Sequence, residues 1–475
     1  MSVRDRSRAA APLRLTACRH GLAPAWAVLI LLLAGLPCGQ ARAQDSAAPP
    51  APEATETDAP LDASSSPSGV EQTASAPDAI AEPVPAPPAE VVAPPAAPPF
   101  PLRVTASVFS RPELRAGYDR LGQADTDFVR YRFRLGLVLD PVDIGRVRVG
   151  GRFVPQTAGF WSSGGTLTDP PLGIHEAVLL LSTDALSVEL GRFEMSYGEE
   201  LLIGPVAWHQ VGRAFDGARL HAKLGSDGAY LDVFGTQLVE NLDSNFAAGD
   251  VLFMGAYAGL GPLLAEGLEL DVYALELLLA ENPDPDPALA LARRHVTTLG
   301  SRILHRGETV DLRAEVGVQI SGTDGGDPLV GYQADVEVGA RIGGRLRLSA
   351  EALIASGANG DRVAAWNQLF PTAHKFLGVA DIMGARSNVI SGVLHGRLSL
   401  SDAVWASLDV HVFARPESAN RYQGVEADAG LGWTIGRGLG LRGNYSLFIP
   451  AEDAFGTSKP AHFAELELRY TLTGS

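Results

Sequence analysis

In the stretch FVRYRFRLGLVL, Phe128 to Leu139, two chemistries alternate residue by residue. Val129, Tyr131, Phe133, Leu135, Leu137 and Leu139 fall on one side of an extended chain. Arg130, Arg132 and Arg134 fall on the other, because successive side chains of a strand point to opposite faces. The pattern returns along the sequence. Val310, Leu312, Ala314, Val316, Val318 and Ile320 alternate with Asp311, Arg313, Glu315 and Gln319. Val404, Ala406, Leu408, Val410 and Val412 alternate with Asp409 and His411. Leu466, Leu468, Tyr470 and Leu472 alternate with Glu465, Glu467 and Arg469. A soluble sandwich rarely sets arginine and glutamate so regularly opposite an all-apolar face. An arginine turned toward lipid costs about 2–4 kcal/mol at the bilayer midplane. Three on one strand would rival the whole stability of a domain, roughly 5–15 kcal/mol. The charged face must therefore line a wet lumen, and the apolar face must meet lipid.

About eighteen such segments are legible, an even number as bacterial outer-membrane barrels require. The expected fold is all-β: a closed antiparallel transmembrane β-barrel over 102–475. Short connectors are expected at 140–143, 183–185, 225–227, 306–307, 343–344 and 437–438. Long ones are expected near 111–126, 156–173, 195–214, 239–249, 281–293, 358–385, 416–423 and 451–460. Short turns on one side and long loops on the other are the outer-membrane pattern, with the long loops outside. The terminal Tyr470-Thr-Leu-Thr-Gly-Ser departs from the aromatic last residue of many such barrels.

The first 43 residues read as a secretory signal. Arg4, Arg6, Arg8, Arg14 and Arg19 are a basic leader, and Ala25 to Leu36 is an apolar run too short to span a bilayer as a helix. Ala41-Arg42-Ala43 is a small-x-small cleavage site. Cleavage there would remove Cys18 and Cys38, both cysteines of the chain, so the remainder has no disulfide or thiol chemistry. Formal net charge is −17. The signal carries six arginines against Asp5 alone, so the remainder is more acidic still, which excludes a generic nucleic-acid binder. Residues 44–101 are rich in Pro, Ala, Ser and Glu and lack lysine and arginine. Such a segment buries too little apolar surface to offset the entropy of ordering, so disorder is expected. It reads as a periplasmic spacer or as a tether for a periplasmic partner.

Between the alternating segments 345–354 and 389–400 lies WNQLFPTAHKFLGVADIMGARSNV, Trp366 to Val389. Pro371, Gly378 and Gly384 interrupt it, yet it carries aromatics, His374, Lys375, Asp381 and Arg386, with Asp361 just before. A long, chemically rich insertion between two strands usually carries function. Its core, LFPTAHKFLGVADIMG, resembles a hallmark of the alginate-export family of outer-membrane barrels. A second stretch, Gly191 to Leu220, resembles the same family through Gly191-Arg192, Tyr197-Gly198, Trp208, and Arg213 followed by Phe215-Asp216-Gly217. The resemblance implies an anion-conducting barrel. It places Arg192, Arg213 and Asp216 near a constriction and gives His374 and Lys375, with Asp381, a role in the pore.

From the residues themselves, the strongest constellation is a ladder of arginines. Arg130, Arg132 and Arg134 share a face. Arg146, Arg148 and Arg152 are expected to share one on the next strand, with Arg219, His221 and Lys223 adding to it. Guanidiniums suit carboxylates because they donate in a planar fork. They equally suit salt bridges to Asp232, Asp311, Glu315, Asp335, Glu337, Glu465 or Glu467 that stiffen a wet barrel.

Enzyme signals are weak. The GxGxxG at 438–443 starts at a hairpin turn and enters a strand, not a helix, so it is no nucleotide fingerprint. No histidines have metal-ligand spacing, and the acids at 283–287 and 324–327 read as solvated loops. No cofactor or metal is expected. The expected partners are outer-membrane lipid and an anionic polysaccharide or small anions. The rival readings are a general or small-solute porin and a non-transporting barrel anchor.

Overall fold

The computed structural model describes residues 101–162, 172–225, 228–239, 251–265, 267–279, 294–323, 327–360 and 363–473. The signal segment, the Pro/Ala-rich segment up to residue 100, the acids at 283–287, Asp324 and Asp361 lie outside the described residues.

The alternating segments form one 18-stranded antiparallel sheet. In chain order the strands are β1 (Leu102–Ala116), β2 (Thr126–Ile144), β3 (Val147–Ser162), β4 (Gly173–Ser182), β5 (Leu186–Phe193) and β6 (Phe215–Lys223). There follow β7 (Tyr230–Val239), β8 (Val251–Gly259), β9 (Leu268–Leu279), β10 (Arg294–Arg306), β11 (Val310–Thr323) and β12 (Leu329–Ile342). The last six are β13 (Leu346–Ala355), β14 (Val389–Ser399), β15 (Val404–Ala414), β16 (Tyr422–Gly436), β17 (Leu439–Pro450) and β18 (Ala461–Thr473). Each strand pairs with its neighbours in sequence, and β1 also pairs with β18, which closes the barrel. Closure leaves no edge strand, so every ladder is satisfied within the chain, as a bilayer requires.

Register carries the two faces round the ring. Leu312 lies opposite Val338 and Val316 opposite Ala334 on the outer face, while Arg313 faces Glu337 and Glu315 faces Asp335 inside. Val316, Val318 and Ile320 are each 47% exposed, yet Asp335 is fully buried. This inversion of the soluble pattern marks an outer surface that lipid covers.

Connector positions differ from expectation in three places. Residues 140–143 are not a turn: β2 continues through them to Ile144, and the turn is Gly145-Arg146, with Gly145 at φ 68°. A register irregularity between Leu139 and Val142 absorbs Pro141, which has no N–H for a ladder. The loops expected at 111–126 and 156–173 are shorter, because β1 runs to Ala116 and β3 to Ser162. The 438–443 glycine motif is a turn followed by β17, as read from sequence.

Two long connectors fold into the lumen instead of standing away from it. Residues 194–214 follow β5, and residues 356–388 follow β13. They meet as a short parallel bridge, Ile203 to Phe370. Phe370 N donates to Leu202 O and Gly204 N donates to Phe370 O, both at 2.9 Å. Thr372 N donates to Glu200 O at 2.9 Å. Their apolar side chains, among them Leu201, Ile203, Trp208, Trp366, Phe376 and Met383, are buried with Phe215 and Phe253 of the wall. Each such burial contributes about 1.5–3 kcal/mol. That holds residues such as Leu369 at φ 60° and Asp381 at φ 56°, where an L side chain is strained.

Candidate functional site

The β2 arginines face the lumen as the alternation requires, and the 194–214 connector lies across them. Arg130 donates to Gln210 Oε1 at 2.7 Å and to Glu113 at 2.9 Å. Arg132 donates to the carbonyls of Ala207 and His209, both at 3.1 Å. Arg134 reaches Gln156 at 2.6 Å, Glu194 at 3.2 Å and Val211 O at 3.3 Å. Arg111 of β1 joins them: its guanidinium sits 3.5 Å from the centre of the Trp208 ring and it is fully buried. The ladder thus clamps residues 207–211 through the loop's own carbonyls. Between these cations, burial and the charges of Arg130, Arg111 and Arg132 push His209 from its usual 6.5 down to about 3.

The 356–388 connector is fastened to the first loop and to the far wall. Lys375 Nζ meets Glu199 at 3.0 Å, and Arg302 of β10 meets the same carboxylate at 2.9 Å. Burial alone would push Glu199 up, but Lys375 and Arg302 together pull it down to about 2. His374 is 1% exposed, stacks on Trp208 at 4.3 Å and bonds Asp381 through Nδ1 at 2.5 Å. Tyr118 donates to Ala380 O at 2.6 Å. On β16, Glu426 accepts from Ala380 N at 2.8 Å and Asp428 from Val379 N at 3.2 Å. Gly378, at φ 85°, lies so close to Glu426 that any Cβ would collide with the carboxylate. His374, Lys375 and Asp381 therefore sit inside the barrel, where they join the two loops. Arg213 serves the same joint, donating to Gly204 O at 3.2 Å, to Pro371 O at 3.1 Å and to Phe370 O.

Arg192 and Asp216 go elsewhere. They lie opposite each other in register, on the face that carries Leu190 and Leu220. They bond at 2.6 Å on the outside of the barrel, near its long-loop end, and leave 44% and 50% of their side chains exposed. The expectation that they flank a constriction is corrected by strand parity: Phe193, Phe215 and Arg219 are the lumenal residues here.

At the short-turn end two clefts lie against the lumenal wall. A cleft of about 450 Å³ is lined by Arg148, Ser182, Thr183, Ser187, His221 and Lys223. It shares Leu180, Ser187 and His221 with one of about 280 Å³ lined by Glu189, Tyr197, Arg219, Tyr230 and Asp232. Arg219 is neutralised by Glu189. Arg152 holds Glu176 at 3.1 Å and Glu189 at 2.9 Å. Arg146 is not on the wall: it is exposed in the β2–β3 turn. The β3 arginines also do not sit beside those of β2, because Arg134 is opposite Gln156 and Arg152 opposite Val138.

Several residues of the site escaped the sequence reading. Arg111, Glu113, Glu199, Arg302, Glu426 and Asp428 are lumenal or loop residues that hold the two connectors. Alternation marks the strand residues among them as inward-facing, but partner choice across the barrel leaves no local signal. Among the described residues, no group of three or more His, Cys, Asp or Glu is arranged to hold a metal ion.

Comparisons with known proteins agree with the barrel fold. Solved structures with the same fold include OccK5 (OpdH) of Pseudomonas aeruginosa, at 13% identity and TM-score 0.59. OccAB4 of Acinetobacter baumannii gives 11% and 0.58, and P. aeruginosa OpdK with vanillate 12% and 0.56. Each covers 78% of this chain and 98% of its own. No curated protein matches the sequence. The profile of the Alginate export family matches residues 177–459, more than half of the chain and both inward-folded connectors. The chain is an outer-membrane β-barrel that belongs to the alginate-export family.

Proposed function

We propose that this barrel conducts an anionic polysaccharide of the alginate kind, or smaller anions that share its carboxylates, across the outer membrane. The observation that carries the reading is the basic cleft at the short-turn mouth, where Arg148, His221 and Lys223 line about 450 Å³. In outer-membrane barrels short turns face the periplasm, so an exported anion would meet Arg148 and Lys223 first and Arg219 next. Arg130, Arg132 and Arg134 join that path when residues 207–211 move off them. The docked loops are then the closed form of the channel. Residues 1–43 act as the export signal and 44–101 as a periplasmic spacer that can hold a partner.

A second reading, a porin for small organic acids, draws support from the size of the two clefts, each of a few hundred cubic ångströms. OpdK, with vanillate in its structure, shares the fold. Planar-bilayer recording with polyuronate and a neutral glucan of similar length separates the readings. Block by the polyuronate alone, stronger at low salt, supports polymer passage. Equal block by both polymers removes charge recognition, and no block in a conducting barrel favours the small-solute porin.

A further inference from the structure

Most lumenal arginines of this barrel are neutralised in place. Arg302 has Glu199 and Asp271, Arg313 has Asp335 and Glu351, and Arg347 has Asp311 and Glu337. Arg397 on β14 differs. Its register partners Arg347 and Ser407 place it on the lumenal face, two residues from the short-turn end of its strand. It has no hydrogen-bond or ion-pair partner among the described residues. What holds it is an aromatic ring: the guanidinium lies 4.0 Å from the centre of Trp405.

The ring itself is seated by glycine. Trp405 of β15 lies opposite Gly432 of β16. A Cβ at Gly432 would overlap the indole, and one at Gly430 would reach its edge at 3.4 Å. The missing side chains let the indole press against the wall, with Arg397 stacked on it and Arg442 at 5.9 Å. Stacking uses the face of a guanidinium and leaves its N–H edge for a planar bidentate acceptor. Both side chains are only partly buried, so that edge is wet. In the 18-strand ring β14 stands nine strands from β5, across from the strands that carry Arg148 and Lys223. A solute entering between them meets cations on both walls.

We propose that Arg397, shelved on Trp405, is a carboxylate-binding station for uronate-type sugar acids at the mouth of the lumen. Its place in transport rests on the channel reading, whereas the binding itself does not. A neutralised arginine must first give up a carboxylate to take another; Arg397 has none to give up. Its distance from the two loops keeps it available while they are docked.

The test is titration calorimetry on the folded full chain in detergent, with trigalacturonate, maltotriose and inorganic phosphate as probes. Heat-modifiable gel migration checks that each variant is folded. Trigalacturonate should bind and maltotriose should not. Arg397→Gln should weaken binding about tenfold or more, equivalent to at least about 1.4 kcal/mol. Arg397→Lys should fall between, since it keeps the charge and loses the fork. Trp405→Leu should resemble Arg397→Gln; if it does not fold, Arg397→Gln decides alone. Unchanged affinity in Arg397→Gln overturns the site. Full affinity in Arg397→Lys, or phosphate binding as tightly as trigalacturonate, overturns the planar-fork recognition. Trigalacturonate binding at Arg397 in a barrel that carries no ion current refutes the channel reading and leaves this site. A current blocked by polyuronate equally in wild type and Arg397→Gln does the reverse.

Discussion

Arg132 and Arg397 are both lumenal arginines on alternating strands, and they do opposite things. Arg132 is 6% exposed and spends its donors on the carbonyls of Ala207 and His209. Arg397 is stacked on Trp405 and keeps its edge for water. The difference is set by what crosses in front of each. A connector lies over the β2 row, whereas among the described residues no hydrogen-bond or ion-pair partner covers the β14 position. Facing the lumen is thus not the same as lining the path. In a barrel wide enough for an aqueous channel, inward-folded loops decide which wall charges a solute can touch.

The comparison breaks most visibly if the covering loop is taken away. Replacing Val206–Gly212 by a short Gly-Ser linker removes Gln210 and the carbonyls of Ala207, His209 and Val211 that Arg130, Arg132 and Arg134 hold. We expect single-channel conductance to rise several-fold, with the β2 arginines now on the path. Arg132→Gln added to that deletion should then lower anion selectivity, while Arg132→Gln in the intact chain should mainly loosen residues 207–211 and raise their cleavage by added protease. Unchanged conductance in the deletion would mean that the lumen conducts around the loops.

A smaller effect is expected from pH. His209 is depressed to about 3 inside the docked loop and returns to about 6.5 when the loop is free. For a base held neutral by its surroundings, docking weakens as pH falls below 6.5, because only the undocked form takes up the proton. Glu199 is depressed to about 2, so its link to Lys375 and Arg302 is intact above about 4.5 and is lost as pH falls toward 2. Open probability should therefore rise as pH drops from 6.5 to 4.5 through His209, and further below 4.5 through Glu199. His209→Gln should abolish the first part and keep the second. A pH response identical in that variant would assign the upper limb to another group.

The smallest effect is expected outside the barrel. Arg192→Gln with Asp216→Asn removes an exposed pair whose contribution is about 0–1 kcal/mol. Reversal potential and conductance should stay as in wild type, measured beside Lys223→Gln, which should shift selectivity toward cations. A selectivity change in the outer pair would place it on the solute path after all.

Legibility followed the range of the physics. The clean alternation of 310–320 and 404–412 gave their faces correctly, because period two is a property of the strand alone. The turn at 145–146 was misplaced because Pro141 is an ordinary turn signal, and only the partner strand shows that an irregularity absorbs it. Arg146 was misassigned with it. Arg192 and Asp216 were read toward the pore from their motif, although Leu190 and Leu220 beside them already mark an outward face.

The amino-acid pattern by itself determined a closed, lipid-facing barrel with a charged interior, since lipid tolerates neither an open edge nor a row of arginines. It also marked 366–389 as the chemically distinct insertion. Only the tertiary structure decided that this insertion meets residues 194–214 inside the lumen, that Glu199 binds both Lys375 and Arg302, and that Arg397 rests on Trp405. Those pairings join residues far apart in the chain. Ion pairing and stacking act over a few ångströms, so ring closure and the path of the loops choose the partners.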